Sequence, residues 1–264
     1  MSTADDPRVA GTQRTLRARL LAGEPLYGML AGLASPAVAE MAALAGYDFV
    51  VIDGEHGPAD RVTSQSLAQA IRAGGASAVL RAASHADHIL GQALDLGVDG
   101  VMVPNIVSAT QARGVVRAVR YPPAGARSNG TAVARASGYG LFARDYVSQA
   151  NHSVLLAVMI ESAAGASAAA DIAAVEGVDA VMLGVYDLSG DLGIAGQFHH
   201  PLFLEAVDRV ETAVRAAGKI LAGVVRPDSS AAELADRGYR MVTLGTDAGA
   251  LAAGMQDQLG SRPR

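Results

Sequence analysis

The feature that most constrains the fold is a strict alternation between short apolar runs and alanine-rich stretches with helical spacing. Gly, Asp or Pro bound the apolar runs, which predict strands at residues 26–33, 48–52, 78–81, 100–103, 154–160, 180–183, 220–225 and 241–244. The helical stretches lie at residues 36–45, 61–73, 86–96, 108–120, 166–175, 201–217, 229–237 and 248–258. Near-continuous apolar strands that alternate with helices are typical of a parallel sheet covered by helices.

A repeated turn favours a closed barrel. Three of the predicted helices end near a glycine that precedes the next strand, at Gly46, Gly97 and Gly177, which suits the left-handed position after a helix. No G-x-G-x-x-G follows the first strand, so a dinucleotide-binding sheet lacks its phosphate turn. The 264 residues match the length of about 250 typical of one such barrel. We therefore expect a single α/β domain over residues 1–264, a (β/α)8 TIM barrel.

Two segments depart from this alternation. Residues 121–150 carry Pro122, Pro123 and several glycines, and we expect an insertion near a subunit contact or the lower rim of the barrel. An amphipathic segment with Arg14, Arg17 and Arg19 predicts a short N-terminal helix.

Composition excludes several classes of function. The net charge of −5, without a dense basic cluster, argues against nucleic acid as a partner. No apolar run reaches the roughly 18 to 20 residues of a membrane span, and residues 1–8 are polar, so we expect a soluble, cytoplasmic protein. With no cysteine, a metal site would need carboxylate, imidazole or water ligands, which favours hard ions.

Polar residues gather where the predicted strands end, which is the face that carries active sites in such barrels. Glu161 and Asp187 offer oxygen ligands for Mg2+, Mn2+ or Co2+. Arg81 offers a guanidinium for a carboxylate or an enolate oxygen, and His56 can move a proton near neutral pH, oriented by Asp53. Each residue alone could be a helix cap or part of a structural ion pair. Together they match the needs of one reaction.

The only lysine, Lys219, lies at the start of the seventh strand and hence on the opposite face. This placement favours metal-assisted enolate chemistry over a Schiff base. His85, His88, His199 and His200 lie near predicted helix starts and are interpreted as solvated residues.

Four motifs resemble the HpcH/HpaI aldolase family. They are Y-D-F-V-V-I-D-G-E-H-G-P at 47–58, A-V-R-Y-P-P-A-G at 118–125, A-R-A-S at 134–137 and the segment 184–193. The resemblance extends over residues 20–251. It implies a class II aldolase on a (β/α)8 barrel that joins pyruvate or a related 2-oxo acid reversibly to an aldehyde. It also implies a homohexamer built as a trimer of dimers.

The resemblance implies the same roles for the strand-end residues: metal ligands Glu161 and Asp187, pyruvate-binding Arg81, and the acid/base pair His56 and Asp53. It adds the backbone from Gly184 to Tyr186 as the receptor of the pyruvate carboxylate. It further implies that Asp95, in the third helix, tunes the histidine. The barrel places Asp95 far below its own site, so it can act only in a neighbouring subunit's site.

Three positions depart from the family. Leu30 replaces a frequent Trp, Met159 a frequent Gln, and Val185 a commoner Pro or Ser. We expect a more apolar pocket and an unusual aldehyde acceptor, and a changed 2-oxo acid donor stays open.

Three alternative functions stay open. An oxaloacetate-type decarboxylase would use the same enolate chemistry. A CoA-thioester lyase would need a basic, adenine-accepting surface, and the sequence shows no clear one. A non-catalytic barrel that binds oxo acids would be indicated by loss of His56 or of either metal-binding carboxylate, and all three residues are present.

Overall fold

Eight parallel strands close into a barrel in the computed structural model, which describes residues 14–262. The first strand pairs with both the second and the eighth. The strands are β1 (Leu26–Ala31), β2 (Phe49–Asp53), β3 (Ser77–Arg81), β4 (Gly100–Val103), β5 (Leu155–Ile160), β6 (Ala180–Leu183), β7 (Ile220–Val224) and β8 (Tyr239–Thr246). The expected (β/α)8 fold is confirmed, whereas the expectation about the polar residues 1–8 lies outside the described residues.

Twelve α-helices occur in the part of the chain that the structure describes. They are α1 (Leu16–Leu21), α2 (Pro36–Leu44), α3 (Arg61–Ala73), α4 (Asp87–Asp95), α5 (Ala109–Val119), α6 (Ala143–Ser153), α7 (Ala163–Ser167), α8 (Ala169–Ala173), α9 (Val185–Asp191), α10 (Pro201–Ala216), α11 (Ala231–Asp236) and α12 (Asp247–Gly260). None of them is long and apolar enough to cross a membrane.

The helix expected at residues 166–175 differs from the observed structure. Ser162 accepts a hydrogen bond from the Gly165 N–H, so the helical segment starts at Ala163, before the alanine-rich stretch. At Ala168 the backbone leaves helical geometry (φ −92°, ψ 7°), which divides the segment into α7 and α8. The short helices α6 and α9 were not anticipated from the sequence.

Residues 121–150 lie at the amino end of the barrel, where the strands begin. Arg127 donates to Asp95 at the end of α4, and Arg135 donates to the Leu96 carbonyl. Helix α1 lies at the same end: Leu16 and Leu20 pack into the barrel interior, and Arg17 contacts Asp179 just before β6. These segments therefore leave the carboxyl end of the barrel open for other residues.

Alternate residues of each strand point into the barrel, as the two-residue period of a strand requires. Their side chains form an interior cluster that includes Phe49, Val51, Val79 and Met159. Phe49 fills the space beside Gly28, where a Cβ would lie 2.2 Å from its ring. Continuing the same alternation, the next inward positions of β2, β3 and β5 are polar, and they lie at the carboxyl end.

The C-terminal helix α12 packs little against its own barrel. Among its residues only Asp247 is buried, and this carboxylate accepts hydrogen bonds from the backbone of Gly32 and Leu33. Leu251, Met255 and Leu259 recur every four residues on one face of the helix and are exposed. The helix therefore presents an apolar stripe away from the barrel that carries it.

Candidate active site

The polar inward residues of neighbouring strands meet at the carboxyl end of the barrel. Asp53 ends β2, Arg81 ends β3, and Glu161 directly follows β5. Asp187 lies in the first turn of α9, whose N-cap Gly184 directly follows β6. The face expected from the sequence to carry the chemistry thus holds these four side chains, and His56 lies on the loop beyond β2.

Asp53 and Arg81 form a buried bidentate ion pair. They are direct neighbours in the register of β2 and β3. Arg81 Nε donates to Asp53 Oδ1 at 3.0 Å and Nη2 to Oδ2 at 2.7 Å. Burial alone would raise the pKa of Asp53, but the hydrogen bonds from Arg81 and the His56 backbone outweigh it and hold that pKa below its usual value. The pair therefore fixes a planar cation at the rim.

The structure differs from the expected pairing of Asp53 with the His56 imidazole. Asp53 Oδ1 accepts from the backbone N–H groups of Glu55 and His56 at 3.1 Å each, so it shapes the turn instead of holding the ring. The reason is the strand register, which puts Arg81 beside Asp53 while the imidazole extends from the loop. The ring is 65% exposed and lies 3.8 Å, Nε2 to Oε2, from Glu55.

Glu55 also belongs to the site, although the sequence pattern indicates no role for it. Its Oε2 lies 3.4 Å from Nη1 of Arg81, and burial raises its pKa. The available signal was its place between Asp53 and His56 in the D-G-E-H motif. The guanidinium of Arg81 is thus held by two carboxylates.

Glu161 is held against the end of β6. Its Oε1 accepts from the Asn105 N–H at 2.6 Å, and a Cβ on Gly184 would lie only 2.6 Å from its Oε2. Burial raises the pKa of Glu161, and the nearby negative charges of Glu55 and Asp187 raise it further, against the Asn105 N–H and Arg81, which lower it. A divalent cation would offset this concentration of negative charge.

The donor chemistry at this position fits a hard divalent ion. Glu161 and Asp187 supply carboxylate oxygens, the ligand type that Mg2+ and Mn2+ favour. No group of three or more His, Asp or Glu side chains that could hold a metal occurs within residues 14–262. The two carboxylates would therefore leave several coordination positions to water or substrate oxygens, as a catalytic metal requires.

A cavity of about 380 Å3 opens beside these residues and descends into the barrel. His56, Arg81, Gly184, Tyr186 and Asp187 line its polar side. As residues of the first helical turn, Val185 to Asp187 have backbone N–H groups without partners inside the helix. The expected carboxylate-binding backbone thus faces the same cavity as Arg81.

Asp95 and Lys219 are not brought to this cavity in the described chain. Asp95 ends α4 at the amino end of the barrel, where Arg127 Nη2 donates to it at 2.9 Å. Lys219 donates to the carbonyls of Val175 and Val178 at 3.3 and 2.8 Å, also at the amino end. The single lysine of the sequence is therefore remote from the strand-end carboxylates.

Four of the remaining five histidines lie at or near helix starts, and His152 lies in the last turn of α6. His200 caps α10, with Nδ1 accepting from the Leu202 N–H, and His199 lies 3.2 Å from Asp228 on the surface. His85 and His88 are exposed around the start of α4. These positions agree with the interpretation of solvated residues.

Comparison with known proteins gives concordant matches over nearly the whole chain. A family model described as HpcH/HpaI aldolase/citrate lyase matches residues 26–253. A hydroxypyruvate/pyruvate aldolase of Delftia acidovorans is 42% identical over 232 residues, which are 88% of this chain and 86% of that protein. A 4-hydroxy-2-oxo-heptane-1,7-dioate aldolase of Salmonella dublin is 37% identical over 237 residues, 90% of each chain.

Solved structures agree with this match. The crystal structure of an HpcH/HpaI aldolase/citrate lyase family protein from Burkholderia cenocepacia superposes with a TM-score of 0.88 at 34% identity. The alignment covers 93% of this chain and 97% of that one.

Proposed function

Since the chain belongs to the HpcH/HpaI aldolase/citrate lyase family, we propose that it is a divalent-metal-dependent class II aldolase. It adds pyruvate or a related 2-oxo acid reversibly to an aldehyde and is thus a carbon–carbon lyase. The observation that carries this proposal is that Asp187 and Arg81 line one cavity while Glu161 lies near enough to both for their charges to affect its pKa. The only lysine of the sequence lies at the other end of the barrel. The names of two relatives specify pyruvate and hydroxypyruvate as substrates.

Glu161 and Asp187 would hold Mg2+, Mn2+ or Co2+. The ion, when bound, would polarise the keto group of the 2-oxo acid and stabilise negative charge on its oxygen. Glu161 keeps Oε2 for this purpose because Oε1 is occupied by the Asn105 N–H. The backbone from Gly184 to Tyr186 would receive the substrate carboxylate, in line with the free N–H groups of the first turn of α9.

Arg81 would stabilise the oxygen that becomes negative when the donor is enolised. Its guanidinium is fixed by Asp53 on one edge and approached by Glu55 on the other, so the charge is pre-oriented before substrate binds. A cation that need not reorganise stabilises developing charge more effectively than a mobile one.

His56 would move the protons. Its imidazole lines the cavity and lies beside Glu55, and an imidazole can both accept and donate a proton. In condensation it accepts a proton from the carbon next to the keto group, and in cleavage it accepts the proton of the aldol hydroxyl. Asp53 supports the same loop through the His56 N–H.

We also propose that the protein is a cytoplasmic homohexamer, a trimer of dimers. The apolar stripe Leu251, Met255 and Leu259 on α12 supports association between copies, because its own barrel leaves it exposed. Asp95 would tune a histidine only across such a contact. Sedimentation velocity and cell fractionation test assembly and location, respectively.

Hydrogen exchange into the methyl group of pyruvate, followed by NMR, tests the enolisation half-reaction without an aldehyde. Chelator-treated protein should lose exchange, and Mg2+, Mn2+ or Co2+ added separately should restore it. Glu161→Ala should abolish exchange with every ion, whereas Asp171→Ala, on an exposed face of α8, should leave it unchanged. Exchange that persists without metal, or in Glu161→Ala, contradicts the proposal.

The same preparation separates the alternatives. An oxaloacetate-type decarboxylase would release carbon dioxide from oxaloacetate faster than the protein cleaves any aldol. A thioester lyase would cleave malyl- or citramalyl-CoA. A binding protein would hold oxo acids without exchanging the methyl protons.

A further inference from the structure

The part of the cavity below the polar rim is apolar. Six strands contribute inward side chains that line it: Leu30, Val51, Met102, Met159, Met182 and Val224. Three of the six are methionines, whose unbranched side chains adapt to ligands of different shape. Hydroxyl groups in the lining come from Thr243 and Thr246 of β8 and from Tyr186 of α9.

Among the described residues that line the cavity, Arg81 carries the one permanent positive charge, and carboxylates already hold it. The charged or titratable groups that line the cavity with Tyr186 are His56, Arg81 and Asp187. All three guanidinium nitrogens of Arg81 lie within 3.4 Å of carboxylate oxygens of Asp53 or Glu55. A carboxylate carried by the acceptor would also be repelled by Glu55, which lies 3.8 Å from the His56 imidazole of the lining.

The volume limits the size of the acceptor. A cavity of about 380 Å3 corresponds to about a dozen water-sized groups. Pyruvate, with six non-hydrogen atoms, would occupy about half of it. The remainder holds an aldehyde of roughly five to seven non-hydrogen atoms.

We propose that the acceptor is a neutral aldehyde with a short apolar chain, not an aldehyde that carries a second carboxylate. This inference rests on the proposed aldolase function and specifies its acceptor. It separates this chain from the relatives named for a heptane-1,7-dioate, a product with two carboxylates. The bond formed joins the donor methyl carbon to the aldehyde carbon; one proton leaves the methyl group and one is added to the aldehyde oxygen, so no oxidant is needed.

Two physical effects set the expected selectivity. Each methylene buried in the apolar cavity favours the transition state by about fourfold. A carboxylate placed there without a cation loses its hydration, a cost larger than that gain. Among acceptors of similar length, the neutral one should therefore react faster by tenfold or more.

The test measures kcat/KM for condensation with pyruvate on the metal-loaded protein. The panel is propanal, butanal, pentanal, 4-oxobutanoate and methyl 4-oxobutanoate. We expect a rise of about fourfold per methylene from propanal to pentanal and at least a tenfold preference for pentanal over 4-oxobutanoate. The neutral ester should recover only part of the rate, because it is about one non-hydrogen atom larger than the space that pyruvate leaves. Equal or faster reaction of 4-oxobutanoate overturns the inference.

A matched pair of variants tests whether the apolar cavity causes the preference for neutral aldehydes. Met159→Gln places an amide in the cavity and should reduce the advantage of pentanal by severalfold. Met41→Gln makes the same change on the surface of α2, where the side chain is 66% exposed, and should change nothing. An undiminished advantage in a folded Met159→Gln protein contradicts the assignment of the cavity.

Methyl exchange in pyruvate distinguishes failure of the acceptor assignment from failure of the proposed aldolase function. Exchange with a preference for 4-oxobutanoate would leave the aldolase proposal standing and overturn only the acceptor class. Absence of exchange with all three ions would overturn the proposed function and the acceptor class with it.

Discussion

Replacing Asp53 by Asn removes the charge that orients Arg81 and keeps the shape of the side chain. Asp53 is 4% exposed and accepts two hydrogen bonds from Arg81 and two from the backbone. The amide oxygen can still accept, but one of the two contacts to the guanidinium loses its acceptor. Arg81, whose side chain is 12% exposed, then keeps Glu55 as its one ion-pair partner among residues 14–262.

Loss of one partner from a buried ion pair lowers the free energy of unfolding by about 3–5 kcal/mol. Because the amide oxygen of the new Asn still accepts a hydrogen bond, we expect Asp53→Asn to lie near the lower limit, about 3 kcal/mol. For a chain of this size the expected fall in Tm is roughly 6–12 °C. A guanidinium displaced by about 1 Å should slow pyruvate methyl exchange by roughly 100-fold. Thermal unfolding followed by circular dichroism and NMR exchange measure the two effects.

Asp228→Asn is the matched control. Asp228 also receives a two-nitrogen contact from an arginine, Arg226, at 2.8 and 3.3 Å, but it is 30% exposed. Water screens such a pair, so the expected change in the free energy of unfolding is under about 1 kcal/mol, without loss of exchange. Equal effects of the two substitutions, or a fully active and stable Asp53→Asn protein, would refute the reasoning.

Three further predictions follow from individual contacts. Because the pKa of Asp53 is lowered in the folded protein, its charge stabilises the fold fully above the usual pKa of 3.8, and this contribution is lost as the pH falls further. The difference in free energy of unfolding between wild type and Asp53→Asn, measured by urea titration, should therefore shrink below pH 3.8. A constant difference would contradict this. Gly184→Ala places a Cβ 2.5 Å from that of Glu161 and should weaken Mn2+ binding measured by calorimetry, while Gly190→Ala, with open space around it, should bind normally. Lys219→Met should retain methyl exchange, and borohydride with pyruvate should add no mass to the wild-type protein; a trapped adduct at Lys219 would overturn the metal route.

The barrel could be predicted because apolar strand segments and alanine-rich helical segments alternate regularly along the sequence. Apolar runs bounded by Gly, Asp or Pro predict all eight strands, and every predicted end lies within two residues of the observed one. The reason is that buried parallel strands need a continuous apolar sequence. The polar residues at the strand ends followed from the same period. Asp53, Arg81 and Glu161 are the positions at which the inward series of β2, β3 and β5 turns from apolar to charged.

Contacts between side chains of different strands could not be predicted from the sequence. That Asp53 contacts Arg81 and not the imidazole of His56 depends on the register of β2 against β3, which no local pattern specifies. The same holds for Glu55, whose importance comes from its nearness to Arg81 and Asp187. Helix α6 was missed because the prolines and glycines before it suggested an irregular insertion throughout residues 121–150.

Because alternate strand residues face the barrel interior, inserting or deleting a single residue within a strand reverses which side chains reach the site. Deleting one residue from the middle of β5 would turn Glu161 toward the surrounding helices and Ile160 toward the cavity, because a strand has only two faces. No small adjustment of that strand moves the carboxylate gradually. The segment between α5 and β5, at the amino end of the barrel, can change in length without moving the site. Related proteins should therefore differ by substitutions at the carboxyl end of the barrel and by insertions or deletions at the amino end.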